Sequence, residues 1–255
     1  MMCALWDLKL REKVLKEGKI KDDFKEKSQY WNWRIDNHAG FSLSNSILQM
    51  YMGPTEALYY SNAEISDGLF DDLLWSFKNF EAKIRLKGDH YGSAGWGFWN
   101  HSMILDKSMP IWFIYLKSRG TYPFQGFFAQ VGTTFQPIKI FKKNYQFTMA
   151  YLLSKLSRKL SKVKIISKYP SMQDINLEEW HLYKIEWKKI INFYIDGKEV
   201  ASIPFETIET KARADVWIDN AVFKIEKGDP GKVYRHATQE NRNRAFLEIE
   251  YIEIF

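Results

Sequence analysis

The sequence predicts an all-β protein built from two packed antiparallel sheets. Three observations carry that expectation. The stretch 180–200, WHLYKIEWKKIINFYIDGKEV, alternates with a period of two: Tyr183, Ile185 and Trp187 oppose Leu182, Lys184 and Glu186, and then Ile191, Phe193 and Ile195 oppose Asn192, Tyr194 and Asp196. Asp196-Gly197 supplies the left-handed positions of a tight hairpin turn. The run IWFIYLK at 111–117 is apolar on both faces, as in a strand covered on both sides. Strands that are rich in aromatic and β-branched residues and apolar on one face need a second layer to cover that face.

The elements follow in order. Residues 1–22 form an arm or helix, with Leu5, Leu8, Val14 and Leu15 loosely helical until Gly18. Tyr30 to Ile35 is an aromatic, strand-like run, and Ser42 to Met52 alternates until Gly53-Pro54. Ala57 to Ile65 forms a short strand before the turn signal Ser66-Asp67-Gly68. Leu74 to Leu86 is a strand with Phe80, Ala82, Ile84 and Leu86 on one face and Glu81, Lys83 and Arg85 on the other. In GSAGWGFWN, 92–100, glycines alternate with large rings, which suits a strand whose backbone is closely approached. GFFAQV at 126–131, ADVWIDNAVF at 214–223 and the closing stretch 246–255 complete the strands.

One segment breaks this pattern. Met149, Leu152, Leu153, Leu156, Leu160 and Val163 form a helical stripe, with Lys155, Arg158, Lys159 and Lys162 opposite. The expected organisation is an arm over 1–22 and one sandwich domain over 23–255, with a basic amphipathic helical insertion at about 139–168. Nine basic residues and no acid lie between Ile138 and Lys168, leaving 28 of the 37 basic residues against 31 acidic ones elsewhere. The net charge of +6 therefore belongs to the insertion. Its lysines either meet an anionic surface or stand solvated while the stripe covers a sheet.

Composition narrows the function classes. The single cysteine, Cys3, excludes an internal disulfide and a cysteine-based zinc site. Charges from Asp7 to Lys13 interrupt the N-terminal stretch, and the longest apolar run, 111–116, cannot span a bilayer. A cytoplasmic location is the expectation. No phosphate-cradling loop, HExxH, nucleophile elbow or nucleic-acid motif is present. Ten tryptophans are many, and a flat indole face suits a carbohydrate groove as well as a core.

Three motifs in order carry a resemblance. FEAKI at 80–84, WHLYKIEW at 180–187 followed by INFYIDG at 191–197, and LEIEYIEIF at 247–255 resemble signature strands of the concanavalin A-like lectin/glucanase superfamily, and of its laminarinase/lichenase glucanases in particular. The resemblance spans roughly 23–255 and implies a two-sheet jelly-roll with a face that holds an oligosaccharide. It also shows a departure. The strand that in those hydrolases carries an E-x-D-x-x-E set corresponds here to WFIYLKSRG, 112–120, which has no carboxylate. Retaining hydrolysis needs two carboxyls about 5–5.5 Å apart, so the family's chemistry does not transfer by position.

The leading expectation is therefore a glucanase-like, lectin-like carbohydrate-binding protein. Its ligand would be an oligosaccharide or polysaccharide stacked on Trp96, Trp99, Trp112, Tyr115 and Trp217, with Asn100, Asp219 and Asn220 orienting hydroxyls. The competing role for each ring is core packing. A second expectation is a glycoside hydrolase with relocated carboxylates drawn from Glu81, Glu186 and Asp219. Ion pairing with neighbouring lysines is the plainer role for these acids. A third is an interaction or structural protein that contacts an anionic partner through Lys155, Arg158, Lys159 and Lys162. No cofactor is expected. Glu250 sits where the resembled family has an Asp that can help bind a structural calcium, but one carboxylate does not make a six- to eight-oxygen site.

Overall fold

A computed structural model describes residues 8–67, 73–102, 108–119, 123–141, 147–148, 151–152, 163–205, 210–224 and 235–255. Helix α1, Leu8–Glu17, ends where Gly18 adopts φ +64° and donates its N–H to the Val14 carbonyl at 2.7 Å, a left-handed C-cap with Lys16 in the last turn. The strands follow: β1 Ile20–Asp22, β2 Asn32–Asp36, β3 Ala39–Ser44, β4 Ile47–Met52, β5 Asn62–Ser66 and β6 Asn79–Lys87. Next come β7 Gly92–Trp99, β8 Ile111–Ser118, β9 Phe124–Val131, β10 Thr134–Ile140, β11 Lys164–Ile165 and β12 His181–Trp187. The last are β13 Ile190–Ile195, β14 Lys198–Pro204, β15 Arg213–Asp219, β16 Ala221–Lys224, β17 Arg235–Thr238 and β18 Ala245–Ile254.

Sixteen of these strands form two eight-stranded sheets, and β16 and β17 pair as a separate two-stranded sheet. The first runs β14-β13-β12-β6-β18-β4-β3, with β1 also paired to β18; the second runs β11-β10-β9-β8-β7-β15-β5-β2. All pairings are antiparallel except β10 with β11. This is the jelly-roll sandwich that the sequence led us to expect.

The period of two decides which residues lie between the sheets. In the first sheet, β6 alternates buried and half-buried along its length, placing Phe80, Ala82, Ile84 and Leu86 inward. In the second, Ala94, Trp96, Phe98, Ile111, Phe113, Tyr115, Ala214, Val216 and Ile218 face the same core. Trp96 meets the Tyr183 ring edge-on at 4.7 Å, and Phe113 meets Phe193 at 5.1 Å, so aromatic contacts join the sheets. The outer face of the first sheet is laced with ion pairs: Arg85 bonds Glu248, and Lys83 lies 2.7 Å from Glu250.

Among the boundaries that differ from the sequence reading, the stretch 214–223 is split at Asn220 into β15 and β16, residues 20–22 of the expected arm join the first sheet as β1, and three others have a local cause. Ser42 to Met52 is the end of one strand and the whole of the next, because Asn45 and Ser46 adopt φ +52° and +56° and turn the chain between β3 and β4. The strand expected from Leu74 starts at Asn79, since Trp75 instead bridges Ala212 through paired 2.8 Å backbone bonds. The strand expected from Ala57 is confined to 62–66.

Most of the expected helical insertion lies outside the described residues, including Lys155, Arg158, Lys159 and Lys162. The residues described within it, 147–148 and 151–152, are helical. Phe147 and Tyr151, one turn apart, carry the inward side, while Leu152 of the expected stripe is 49% exposed. No described helix is long and apolar enough to cross a membrane.

Candidate functional site

The middle strands of the second sheet, β5, β7 and β15, are buried on both faces, and the face turned away from the first sheet holds the candidate site. Odd-numbered residues of β7 and β15 and even-numbered residues of β5 and β8 point there. One half of this face is apolar: Trp112, Ile114, Phe128, Ile140, Phe147, Ile165 and Trp217 form a second buried cluster, with Trp99 half-buried at its border. The described parts of 140–165 thus pack over this end of the sheet.

Three tryptophans run in contact across the face. Trp99 and Trp112 have ring centroids 6.0 Å apart, and Trp112 and Trp217 4.4 Å. Each indole N–H is held internally. Trp217 donates to Ser93 Oγ at 2.9 Å, Trp112 to Gln130 Oε1 at 2.7 Å and Trp99 to the Ser102 carbonyl at 3.3 Å. Trp112 and Trp217 are 7% and 9% exposed, so of the three rings only half-buried Trp99 has ring surface that a ligand can reach. The glycines seen in the sequence explain how the rings fit. A Cβ on Gly95 would stand 2.2 Å from the far edge of the Trp217 indole, so Trp217 occupies the space above Gly95.

The other half of the face is polar and charged. Glu64 of β5 and Asp215 of β15 sit beside His101, just past β7, and one side-chain atom of each lies within 4.8 Å of the other two. Arg213 approaches Glu64 Oε1 at 3.5 Å, Arg34 approaches Oε2 at 3.5 Å, and Asn62 donates to Oε2 at 3.1 Å. Arg34 also pairs with Asp36 at 2.8 Å. His101 takes φ +57° and stacks on Trp99 at 4.3 Å, which joins the charged half to the tryptophan row. Burial pushes the Asp215 carboxyl well above the usual carboxylate range, Glu64 pushes it further, and the Arg213 guanidinium opposes both. Two full charges this close repel by roughly 3 kcal/mol at an effective dielectric near 20. Burial likewise lowers the pKa of Arg213.

The residues expected to bind or to act divide into five groups. Trp99, Trp112 and Trp217 come together on the face. Trp96 and Tyr115 do not: both lie in the inter-sheet core, Trp96 at 1% exposure, because they share the even parity of β7 and the odd parity of β8 with core residues. No ligand reaches them without separating the sheets, so their placement is the core role weighed above. Asn100 sits at the edge, its Oδ1 accepting the Ser102 N–H at 3.1 Å. Asp219 and Asn220 are saturated structural pins. Asp219 accepts from Ser93 Oγ at 2.8 Å, Ser93 N at 3.2 Å, Ala221 N at 3.1 Å and Tyr60 Oη at 3.3 Å, and burial still raises its pKa to about 7. Asn220 bonds Ser61 N–H and the carbonyls of Tyr59 and Gln239.

Glu81 and Glu186 lie on the outer face of the first sheet, with the whole core between them and the tryptophan row. Glu81 accepts the Tyr251 hydroxyl at 2.8 Å; Glu186 accepts from Lys184 at 2.8 Å and Lys188 at 3.1 Å, which holds its pKa below the usual range. An ionised, paired carboxylate is a poor general acid. Glu250 falls at the bulge where β18 slips against β6, and the Lys83 ammonium lies 2.7 Å from it, where a calcium would need open oxygens.

Sequence reasoning missed Glu64, Arg213 and Asp215. A usable signal existed for two of them. In RADVWID, Arg213 and Asp215 share parity with Trp217 and Asp219, so accepting Trp217 on the face implied Arg213 and Asp215 there as well.

No family model matches the chain, and no curated protein matches it. Solved structures share its fold. The κ-carrageenase of Pseudoalteromonas carrageenovora, in complex with an oligotetrasaccharide of κ-carrageenan, is 12% identical at a TM-score of 0.51, covering 92% of this chain and 92% of that one. A β-1,3-glucanase from Mycobacterium marinum is 11% identical at a TM-score of 0.51, covering 92% and 97%. A sialidase is 14% identical at a TM-score of 0.51; the match covers 93% of this chain, which spans only 18% of that protein. These likenesses place the chain in the concanavalin A-like fold among glucanase and carrageenase neighbours.

Proposed function

We propose that this protein binds a saccharide on the tryptophan face of the second sheet. The observation that carries the reading is half-buried Trp99 at the end of the row Trp99–Trp112–Trp217, backed by the two buried rings and bordered by Arg34, Glu64, His101, Arg213 and Asp215. Flat apolar rings beside charged hydrogen-bonding groups match the two-sided character of a sugar ring, apolar on its C–H faces and polar at its rim. Trp99 is the half-buried member, with Asn100 and His101 next to it, so first contact falls there. The fold neighbours support the reading, since one of them is bound to a carrageenan oligosaccharide.

The test is a glycan array followed by calorimetry on the hits. The expected result is binding that Trp99→Ala weakens by about tenfold, the loss of roughly 1.4 kcal/mol of stacking. An array without hits, together with intrinsic fluorescence unmoved by laminarin or κ-carrageenan oligosaccharides, refutes the proposal.

Hydrolysis is a second reading, favoured by one observation. Glu64 and Asp215 are neighbours on the tryptophan face, within 4.8 Å, near the carboxyl spacing of retaining glycosidases rather than the wider inverting one. Reducing ends released by the wild type and abolished in Glu64→Gln and Asp215→Asn would establish it. Release that survives both substitutions would remove these two carboxylates from the chemistry.

A further inference from the structure

We propose that Glu64, His101 and Asp215 hold one divalent metal ion of the zinc–manganese class beside the tryptophan row. The three residues come from three neighbouring strands, β5, β15 and the end of β7, so the sheet itself brings them together. Their ligand atoms lie within 4.8 Å of one another. Three atoms so placed have a common point no more than about 2.8 Å from each, and small side-chain rotations bring them to the roughly 2.0–2.2 Å of imidazole and carboxylate bonds to zinc.

A second observation points to a ligand. Asp215 is 1% exposed, and its Oδ1 is buried with no hydrogen-bond partner. Buried acceptors without a donor are rare, and a bound cation supplies what Oδ1 lacks. Charge agrees. Asp36, Glu64 and Asp215 bring three carboxylates to a partly buried patch that has two guanidiniums, Arg34 and Arg213, with Arg34 and Asp36 at its exposed edge. The 3.5 Å approaches of both arginines to Glu64 resemble the outer contacts that orient a ligating carboxylate. One imidazole with two carboxylates selects zinc, manganese or iron over calcium or magnesium, which take oxygen alone. His101 is held for the task by its left-handed backbone and its stack on Trp99.

The inference stands apart from the saccharide reading, because ion uptake is measured without a sugar. It excludes the hydrolytic reading of the same pair, since a bound ion keeps both carboxylates ionised and engaged. The experiment strips the full chain with chelator and dialyses it against ZnCl2, MnCl2 and CaCl2 in turn, with the ion counted by mass spectrometry. We expect one zinc or manganese ion per chain, no stoichiometric calcium, and a higher melting temperature in the loaded protein. Cobalt(II) in the same site would show the visible bands of a site with few ligands, including a nitrogen. Asp215→Asn and His101→Gln would each weaken uptake by about tenfold or more. Substoichiometric ion in the wild type, or full uptake by both variants, overturns the proposal. If Asp215→Asn does not fold, His101→Gln and the wild-type cobalt spectrum decide it.

Discussion

Gly95 and Gly97 sit two apart on the tryptophan face, and they should respond to alanine for different reasons. An ideal Cβ on Gly95 would meet Trp217 ring atoms at 2.2, 2.7 and 2.7 Å. Ordinary contact begins at 3.4 Å, so the indole must recede by about 1.2 Å. It has little room, because Trp112 stands 4.4 Å away and Ser93 holds its N–H at 2.9 Å. Gly95→Ala should therefore cost about 1–3 kcal/mol of overpacking. Trp217→Leu removes the obstacle and by itself costs about 3–5 kcal/mol as a cavity. The two together should cost less than their sum by at least about 1 kcal/mol. A Cβ on Gly97 instead meets backbone, the Ile111 carbonyl at 2.4 Å, at φ +150°. Shortening Trp112 should not rescue Gly97→Ala. Urea unfolding of the two cycles, with constant m-values, measures both couplings. Additive free energies in the Gly95–Trp217 cycle, or a rescue of Gly97→Ala by Trp112→Leu, would refute this account of the glycine row.

Other outcomes follow from single residues. His90 is fully buried, and burial lowers its pKa to about 4. The stability due to neutral His90 is complete above its unfolded pKa of 6.5 and is lost as pH falls towards 4. The free-energy advantage of wild type over His90→Gln should accordingly shrink by up to roughly 3 kcal/mol between pH 7 and pH 4, read by chemical unfolding at each pH. Asn220→Ala strands the Ser61 N–H and two carbonyls, and calorimetry should show a loss of about 1–3 kcal/mol for each group that water cannot reach. Gly197 sits at φ +78° with nothing near its would-be Cβ, so Gly197→Ala should cost only the roughly 1 kcal/mol of left-handed strain, and Gly197→Asn less.

The sandwich was legible where one physical signal dominated. In 181–204 the side-chain alternation and the Asp196-Gly197 turn agree, and the structure has three strands there with that turn at φ +50° and +78°. The double-sided burial of β8 was equally plain, since both its faces are covered. The site was much less legible. Glu64, His101 and Asp215 are far apart in sequence and meet only because β15 inserts between β5 and β7, a strand order that no local pattern encodes. Glu81 and Glu186 drew attention as acids in apolar strands, yet an alternating strand places its polar residues on whichever side faces water. Here that side is the salt-bridged back of the first sheet. Trp96 and Trp99 look alike in the sequence and differ only in parity, and parity assigns one to the core and the other to the face.

The position of β18 bears on how the polypeptide acquires its shape during synthesis. It runs down the middle of the first sheet, bonded to β6 on one side and to β4 and β1 on the other. Until the ribosome has released those ten residues, β6 and β4 face each other across an empty lane, with hydrogen-bonding edges bare. β4 and β6 are made well before the strand that separates them, so both edges stay open to mispairing until β18 inserts between them.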